Sequence, residues 1–462
     1  MNLSAMLSQK MGAVIHRLYQ PIDIASLVFF RIAFGLIMFW EVCRYLYLDW
    51  IGELYIRPNF HFKYPGFNWV SMLPGEWLYL HFYLLGILSL MIALGLFYRL
   101  ATILFFLGFT YLFLIESAFY LNHLYLVCLV SFLIIWIPLH RNYSLDVLLW
   151  SKIKSYFLPS CYLWILRFQI GIVYFYGGIA KIEIDWLMGK PMNIWLNDRE
   201  YLPIVGPYFK EPLVTIFYSW SGMIFDILLP FALLFKKFRL TAFFCAVLFH
   251  MHNQFFFKIG IFPMLAIAMT SLFFEPSFPR ELFHKIKNGK LEKVERNNFT
   301  EKNILQFPKN QLIKWFIGIY ILWQLLMPLR HWIYPGWVNW NEAGHRFSWR
   351  MMLREKTARM TYFVTHPDTG ETRHAYPSDY LIYAQVKTLQ YKPDMMVQFG
   401  KYLRQLVKIN SGFDPIVRVA VEVSLNGRAF KPYTNPNLDI GKFTSGNELE
   451  KLILPFKKLK SE

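Results

Sequence analysis

Apolar runs of about 20 residues recur along this chain from Ser26 to Trp332, and each is long enough to cross a hydrocarbon core of about 30 Å. Inside a bilayer a spanning segment must satisfy its own backbone polar groups. Continuous runs therefore predict helices, because spanning strands would show short alternating segments. Composition agrees: 56% of the 462 residues are hydrophobic and 17% are charged, against about 25% charged in soluble domains. The expected spans are 25–43, 77–97, 100–118, 124–139, 160–180, 213–235, 239–257, 259–275 and 314–332, and 239–275 also fits one helix with a re-entrant piece. The fold class is an α-helical integral membrane bundle of about nine spans followed by a small β-rich domain. The first run has no small-residue cleavage site behind it and reads as a retained helix, not a signal peptide.

Charge sets the expected orientation. With the N-terminus in the cytosol, the N-terminal segment and the even-numbered connections carry seventeen basic residues, among them Arg99, Arg141, Lys152, Lys236, Arg239, Arg280 and Lys302. That is about twice the number in the opposite connections, and basic connections stay in the cytosol. Topology and attraction to anionic lipid account for the net charge of +18. Nucleic acid is not an expected partner, because the charge is spread over several connections. The expected organisation is a cytosolic segment 1–24, a membrane catalytic domain 25–335 and an extracytosolic β-rich domain 336–462. In the last, Val417, Val419, Val421 and Val423 alternate with polar or small residues as a half-buried strand, and Asn426-Gly427 follows as a hairpin turn. A second hairpin runs from Thr361 through Pro367–Gly370 to His374, and 394–409 reads as an amphipathic helix. The four cysteines (Cys43, Cys128, Cys161, Cys245) lie in or beside apolar runs, which predicts neither a disulfide framework nor a zinc site.

Ionisable groups within apolar runs cost about 2.5–3.5 kcal/mol each on insertion scales. Arg31, Glu41, Glu116, Arg167 and Asp226 are expected to pair across the bundle interior. A second set converges by topology: Asn122 and His123, Lys181, His250 and His252, and His331 all fall at outer helix ends. Each alone fits a snorkelling lysine or a structural histidine. Together they place an amine and several imidazoles at one membrane level. The apolar run before Lys181 desolvates it and favours a neutral amine, a usable base, whereas Glu183 and Asp185 favour the ammonium. Gly177-Gly178 permits close approach of a ligand or another helix.

Several stretches resemble the vitamin K-dependent γ-glutamyl carboxylases: Ser26–Gly35, Asn122-His123 with Tyr125-Leu126, Tyr174–Met192 around Lys181, Phe249–Gln254 with Gly260, Asn339–Met352, and Leu425–Arg428. The likeness runs through nearly the whole chain in order. It is nearest the shorter, bacterial-type members, whose helical part is a horizontally transferred transmembrane domain. The chain ends where animal members continue, so tight propeptide-directed recognition is not expected. The resemblance implies that reduced vitamin K, a naphthohydroquinone, is deprotonated by Lys181 and consumes O2. A peptide glutamate is thereby activated to add CO2, with no metal involved. It implies that His123, Asn122 and His250 assist, that Gly177, Gly178, His252 and Asn253 border the quinol, and that Trp340, Ser348 and Trp349 bind the glutamate. Arg346 or Arg350 could pair with the incoming carboxylate. His345 stands where animal members have tyrosine. The expected partners are a glutamate-containing peptide or protein and the lipid bilayer, in a bacterial cytoplasmic membrane if the source is a prokaryote. The O2 consumed converts the quinol to its epoxide in the reaction that the resemblance implies. Two other readings compete: a vitamin K or quinol epoxidase, or a quinone-linked membrane oxidoreductase, with poor or no carboxylation, and a non-catalytic transporter or scaffold, although no inverted repeat is visible.

Overall fold

A computed structural model describes residues 17–288, 311–443 and 447–456. The apolar runs form helices α1 (Ala25–Tyr47), α2 (Trp77–Leu94), α3 (Tyr98–Ile115), α4 (Asn122–Trp136), α5 (Cys161–Ile179), α6 (Pro212–Leu234), α7 (Lys236–Phe257) and α8 (Phe262–Ser271). An amphipathic helix α9 (Phe278–Asn288) and the apolar α10 (Gln311–Leu326) complete the helical part. The apolar helices run alternately between two ends of one bundle.

One end is pinned by short strands β1 (Pro21–Asp23) and β2 (Phe157–Pro159), by the Asp23–Arg280 ion pair at 2.9 Å, and by Asp146, which accepts from the amides of Phe97 and Tyr98. At the other end Glu116 accepts from the Phe62 amide at 3.1 Å and from the Gln385 side chain at 2.8 Å. The nine expected spans are met in part. Among the described residues, α1, α2, α3, α6 and α7 are long and apolar enough to cross a membrane. With about 1.5 Å of rise per residue, a 30 Å core asks for about 20 residues, whereas α4 has 15, α8 has 10 and α10 has 16. Helix α5 has 19 residues and carries the polar Arg167 and Gln169 within its apolar run.

The intramembrane charges also behave differently from expectation. Arg31 donates to the carbonyls of Leu139 and Tyr143, Arg167 to those of Leu272 and Phe274, and Glu41 pairs with Arg44 on its own helix. The two arginines satisfy loop backbone, which lacks helical partners. Asp226 is the exception, pairing between helices with Lys181.

The β-rich part follows the sequence reading. Strands β3 (Lys356–Thr365), β4 (Thr372–Ala375), β5 (Ile416–Leu425) and β6 (Lys431–Pro432) form an antiparallel sheet in the order β4-β3-β5-β6. The hairpin turn lies between β3 and β4 as expected, and Asn426 and Gly427 adopt the left-handed conformation that a tight turn after β5 requires. Helices α11 (Tyr383–Leu389) and α12 (Pro393–Ser411) cover the sheet, and Phe399, Tyr362 and the valines of β5 fill the core. This sheet seats on the bundle through Gln385–Glu116, Gln398 on Lys63, and Arg428 on Asp185. The basic residues Lys290, Lys293, Arg296, Lys302 and Lys309 lie outside the described residues.

Close packing of α1 on α2 depends on Gly35, where a Cβ would stand 2.6 Å from the Ala93 amide nitrogen and the Ser89 carbonyl oxygen. Neither backbone atom can yield without moving a helix. Gly35→Ala should destabilise the bundle by about 1–3 kcal/mol, read as a lowered unfolding temperature of purified protein in detergent.

Candidate functional site

Lys181 follows the last turn of α5, where Gly177 and Gly178 allow neighbours unusually near. Its Nζ donates to Asp226 Oδ2 at 2.6 Å and to the Gly177 carbonyl at 3.1 Å, and it lies 5.4 Å from the Trp186 ring centre. Both charged side chains are buried. The sequence reading set Glu183 and Asp185 against Lys181, and the structure commits them elsewhere. Glu183 accepts from Asn339 at 2.5 Å and lies 3.6 Å from Arg350. Asp185 accepts from Asn426 and Arg428 at 2.6 Å; burial raises the Asp185 carboxyl's pKa, but those bonds outweigh burial and hold it below the ordinary range. Asp226 is thus the anion that answers Lys181.

The two glycines serve packing. A Cβ at Gly178 would strike Ile227 at 2.5 Å, so this position seats α6. At Gly177 it would meet Met351 at 3.1 Å and stand 3.9 Å from the Trp349 carbonyl oxygen. The contact expected of a ligand is therefore made by protein.

The imidazoles divide. Tyr174 and His250 share a hydrogen bond of 2.5 Å through His250 Nε2, and His250 Nδ1 is buried without a partner among the described residues. The rings of His250 and His123 lie 5.5 and 6.4 Å from that of Phe262, so one phenylalanine spaces the two histidines. Asn122 accepts from Tyr120 at 2.9 Å. His252 turns away to stack on Phe256, 4.3 Å between ring centres, and His331 Nδ1 binds the Pro328 carbonyl. For Asn253, half-buried on α7, no side-chain contact marks a role.

Between the bundle's outer connections and the sheet domain lies a cavity of about 1420 Å³, walled by residues that include Glu183, Lys190, Arg330, Trp340, Arg346, Lys392 and Arg428. One side is apolar, with Trp337, Ile453 and Phe456. The stretch from Glu342 to Met352 joins this cavity to the Lys181 turn: Arg346 and Phe347 line the cavity, while Met351 and the Trp349 carbonyl reach Gly177. Four non-glycine residues in it, Glu342, Phe347, Trp349 and Met352, have left-handed backbone, a strain that clusters at functional sites.

The family comparison decides the identity. The HTTM domain matches residues 19–278, and the vitamin K-dependent gamma-carboxylase lumenal domain matches 309–459. The chain belongs to the vitamin K-dependent γ-glutamyl carboxylase family. No solved structure matches it. Membership gives a membrane protein with an extracytosolic domain and a carboxylase-type function that uses vitamin K hydroquinone and glutamate-containing protein.

Several residues expected to bind glutamate are interior to this carboxylase-family fold. Trp340 donates to the Leu454 carbonyl at 2.8 Å and packs edge-on to Tyr433 in the sheet-domain core, although it borders the cavity. Trp349 stacks on Tyr125 at 5.1 Å, Ser348 donates to the Gly344 carbonyl at 2.5 Å, and Arg350 is held by Asn339 and Glu183. Arg346 does face the cavity. Nη1 donates to Asp394 at 2.6 Å, and the Nε–Nη2 edge is buried without a partner among the described residues.

Sequence reasoning missed Asp226 and Tyr174 as site residues and did not single out Glu342. For the first two the available signal was polarity inside apolar helices; nothing in the spacing reveals Glu342. Because Trp340 is core, Trp340→Ala should cost about 3–5 kcal/mol. Unfolding temperature should fall and every activity should be lost together, rather than only the affinity for peptide.

Proposed function

We propose that this protein γ-carboxylates glutamate in a peptide or protein, coupled to epoxidation of reduced vitamin K by O2. The observation that carries the reading is the Glu342–Met352 stretch, which links a solvent-side cavity to the Lys181–Asp226 pair. The surroundings of that pair suit an aromatic diol. His250 Nδ1 and Trp349 Nε1 are buried donors or acceptors without partners among the described residues, and Phe225, Phe249 and Phe262 supply apolar walls around His250. Lys181, His250, His123 and Asn122 would hold the quinol. Reduced vitamin K reacting with O2 supplies the strong base that a glutamate γ-proton requires, and CO2 adds at the carbon it leaves.

The chain's own residues prepare this chemistry. As an ammonium, Lys181 has no lone pair and cannot accept a proton. Transfer of its proton across 2.6 Å to Asp226 yields an amine and an acid. The amine then accepts a phenolic proton at Nζ, aimed by the Gly177 carbonyl. His250, held by Tyr174, presents Nδ1 toward the diol. On the cavity side the buried, unpartnered Nε–Nη2 edge of Arg346 matches the two oxygens of a glutamate carboxylate. The two half-reactions then meet across one short stretch of chain.

Purified protein supplied with reduced vitamin K, labelled CO2 and a glutamate peptide should form epoxide and fix label. Lys181→Ala should lower both by about 100-fold or more in protein that still folds in detergent at a lowered unfolding temperature, with partial rescue by a small exogenous amine. Near-normal epoxidation by Lys181→Ala would show that Lys181 is only a buried structural cation.

The basic end of the bundle is proposed to face the cytosol together with the N-terminus, with the sheet domain outside. In intact cells expressing a cysteine-free background, Lys152→Cys should be shielded from an impermeant thiol reagent and Thr369→Cys should react. The reverse pattern overturns the orientation.

A further inference from the structure

The cavity wall holds a second group of charges that the proposed chemistry does not use. The Glu342 carboxylate accepts from Lys356 at 2.6 Å, from Lys392 at 2.7 Å and from Arg354 at 2.6 Å. Arg354 also bonds His345 Nε2. One carboxylate thus faces three cations, all nearly buried. The neighbouring charges offer no further balance, since Asp394 is committed to Arg346 and Glu183 to Arg350. Buried charge without a counter-charge is costly and calls for an anion.

Glu342, His345 and Lys392 border the cavity beside Arg346, and the Arg346 Nε–Nη2 edge and His345 Nδ1 are buried without partners among the described residues. Lys356 lies behind them, over the rings of Tyr391 and Tyr433. We propose that the Glu342–Arg354–Lys356–Lys392 cluster is a second carboxylate site, next to the one at Arg346. It would take either a neighbouring acidic side chain of the peptide or the carboxylate newly added to the first glutamate. The inference rests on the glutamate reading above and narrows the substrate to acidic peptides.

Titration supports the geometry. Burial pushes the Lys356 amine down to about 7 and the Lys392 amine to about 8, with Arg354 adding repulsion and Glu342 opposing both. Burial raises Glu342, but Arg354, Lys356 and Lys392 outweigh it and hold it well below its ordinary value. The groups facing the two amines are Glu342, Arg354, Arg346, His345 and each other, with the rings of Tyr391 and Tyr433. An incoming carboxylate favours both ammonium forms. Any affinity it adds is therefore fully present below about pH 7, declines from there upward, and is lost as pH rises through the higher values that the two amines take with the carboxylate bound.

The test measures binding alone, without vitamin K, on the full chain in lipid nanodiscs. Three short peptides differ only in carboxylates: one glutamate, two adjacent glutamates, and one γ-carboxyglutamate. In the wild type at pH 6.5 the second carboxylate should tighten binding about tenfold, and the gain should shrink at pH 8.5. In Lys392→Gln the gain should fall below about twofold, and Lys392→Arg should restore most of it. Comparing the two dicarboxylate peptides tells which source the site prefers. A folded Lys392→Gln that keeps the full gain, or a wild type that shows none, overturns the second site while leaving glutamate binding intact. If no peptide binds the wild type, the glutamate reading fails with it.

Discussion

Lys181 and Asp226 are 2.6 Å apart in a place where neither charge would be stable alone. Removing one partner from such a pair leaves an uncompensated buried charge, at a cost of about 3–5 kcal/mol. That contact sets how α5 and α6 pack. Gly178 lets α6 approach, Gly177 admits Met351, and Trp349 stacks on Tyr125 behind them. The sheet domain, the outer connections and the bundle are thereby fitted around one ion pair. The same pair gives the amine a proton acceptor within one hydrogen-bond length, which is what a buried lysine needs to work as a base.

A similar economy governs the other charges. Arg31 and Arg167 satisfy loop carbonyls that would otherwise be orphaned beside an apolar bundle. Glu116 does this for the Phe62 and Ala118 amides and also receives Gln385 from the sheet domain. Asp185 joins the turn after Lys181 to the β5 hairpin through Asn426 and Arg428. These contacts make the cavity a product of docking, since its walls come from both parts of the chain. The Glu342 cluster departs from the pattern because its cations outnumber its carboxylates.

Helical character, the β5 strand with its Asn426-Gly427 turn, and the gathering of Lys181, His123 and His250 at one end were all legible in the sequence. Apolar run length and period-two alternation are local properties, so they survive without knowledge of the fold. The same local rule does not fix the number of spans, since where a helix such as the ten-residue α8 stops depends on what it packs against. The family resemblance pointed to the Asn339–Met352 stretch, and the structure places Trp340 and Trp349 of that stretch in packed surroundings. A tryptophan's burial depends on what faces it, and that information is absent from the stretch itself.

By itself, then, the sequence determined a membrane bundle, a β-rich domain beyond it, and which helix ends carry ionisable groups, because backbone satisfaction and hydrophobic periodicity act over neighbouring residues. Only the tertiary structure decided that Asp226 rather than Glu183 or Asp185 answers Lys181, that Arg346 rather than Arg350 opens onto the cavity, and that three cations gather on Glu342. Each is a pairing between residues far apart in the chain. Which partner a buried charge finds is settled by helix packing and domain docking, and neither is written in local spacing.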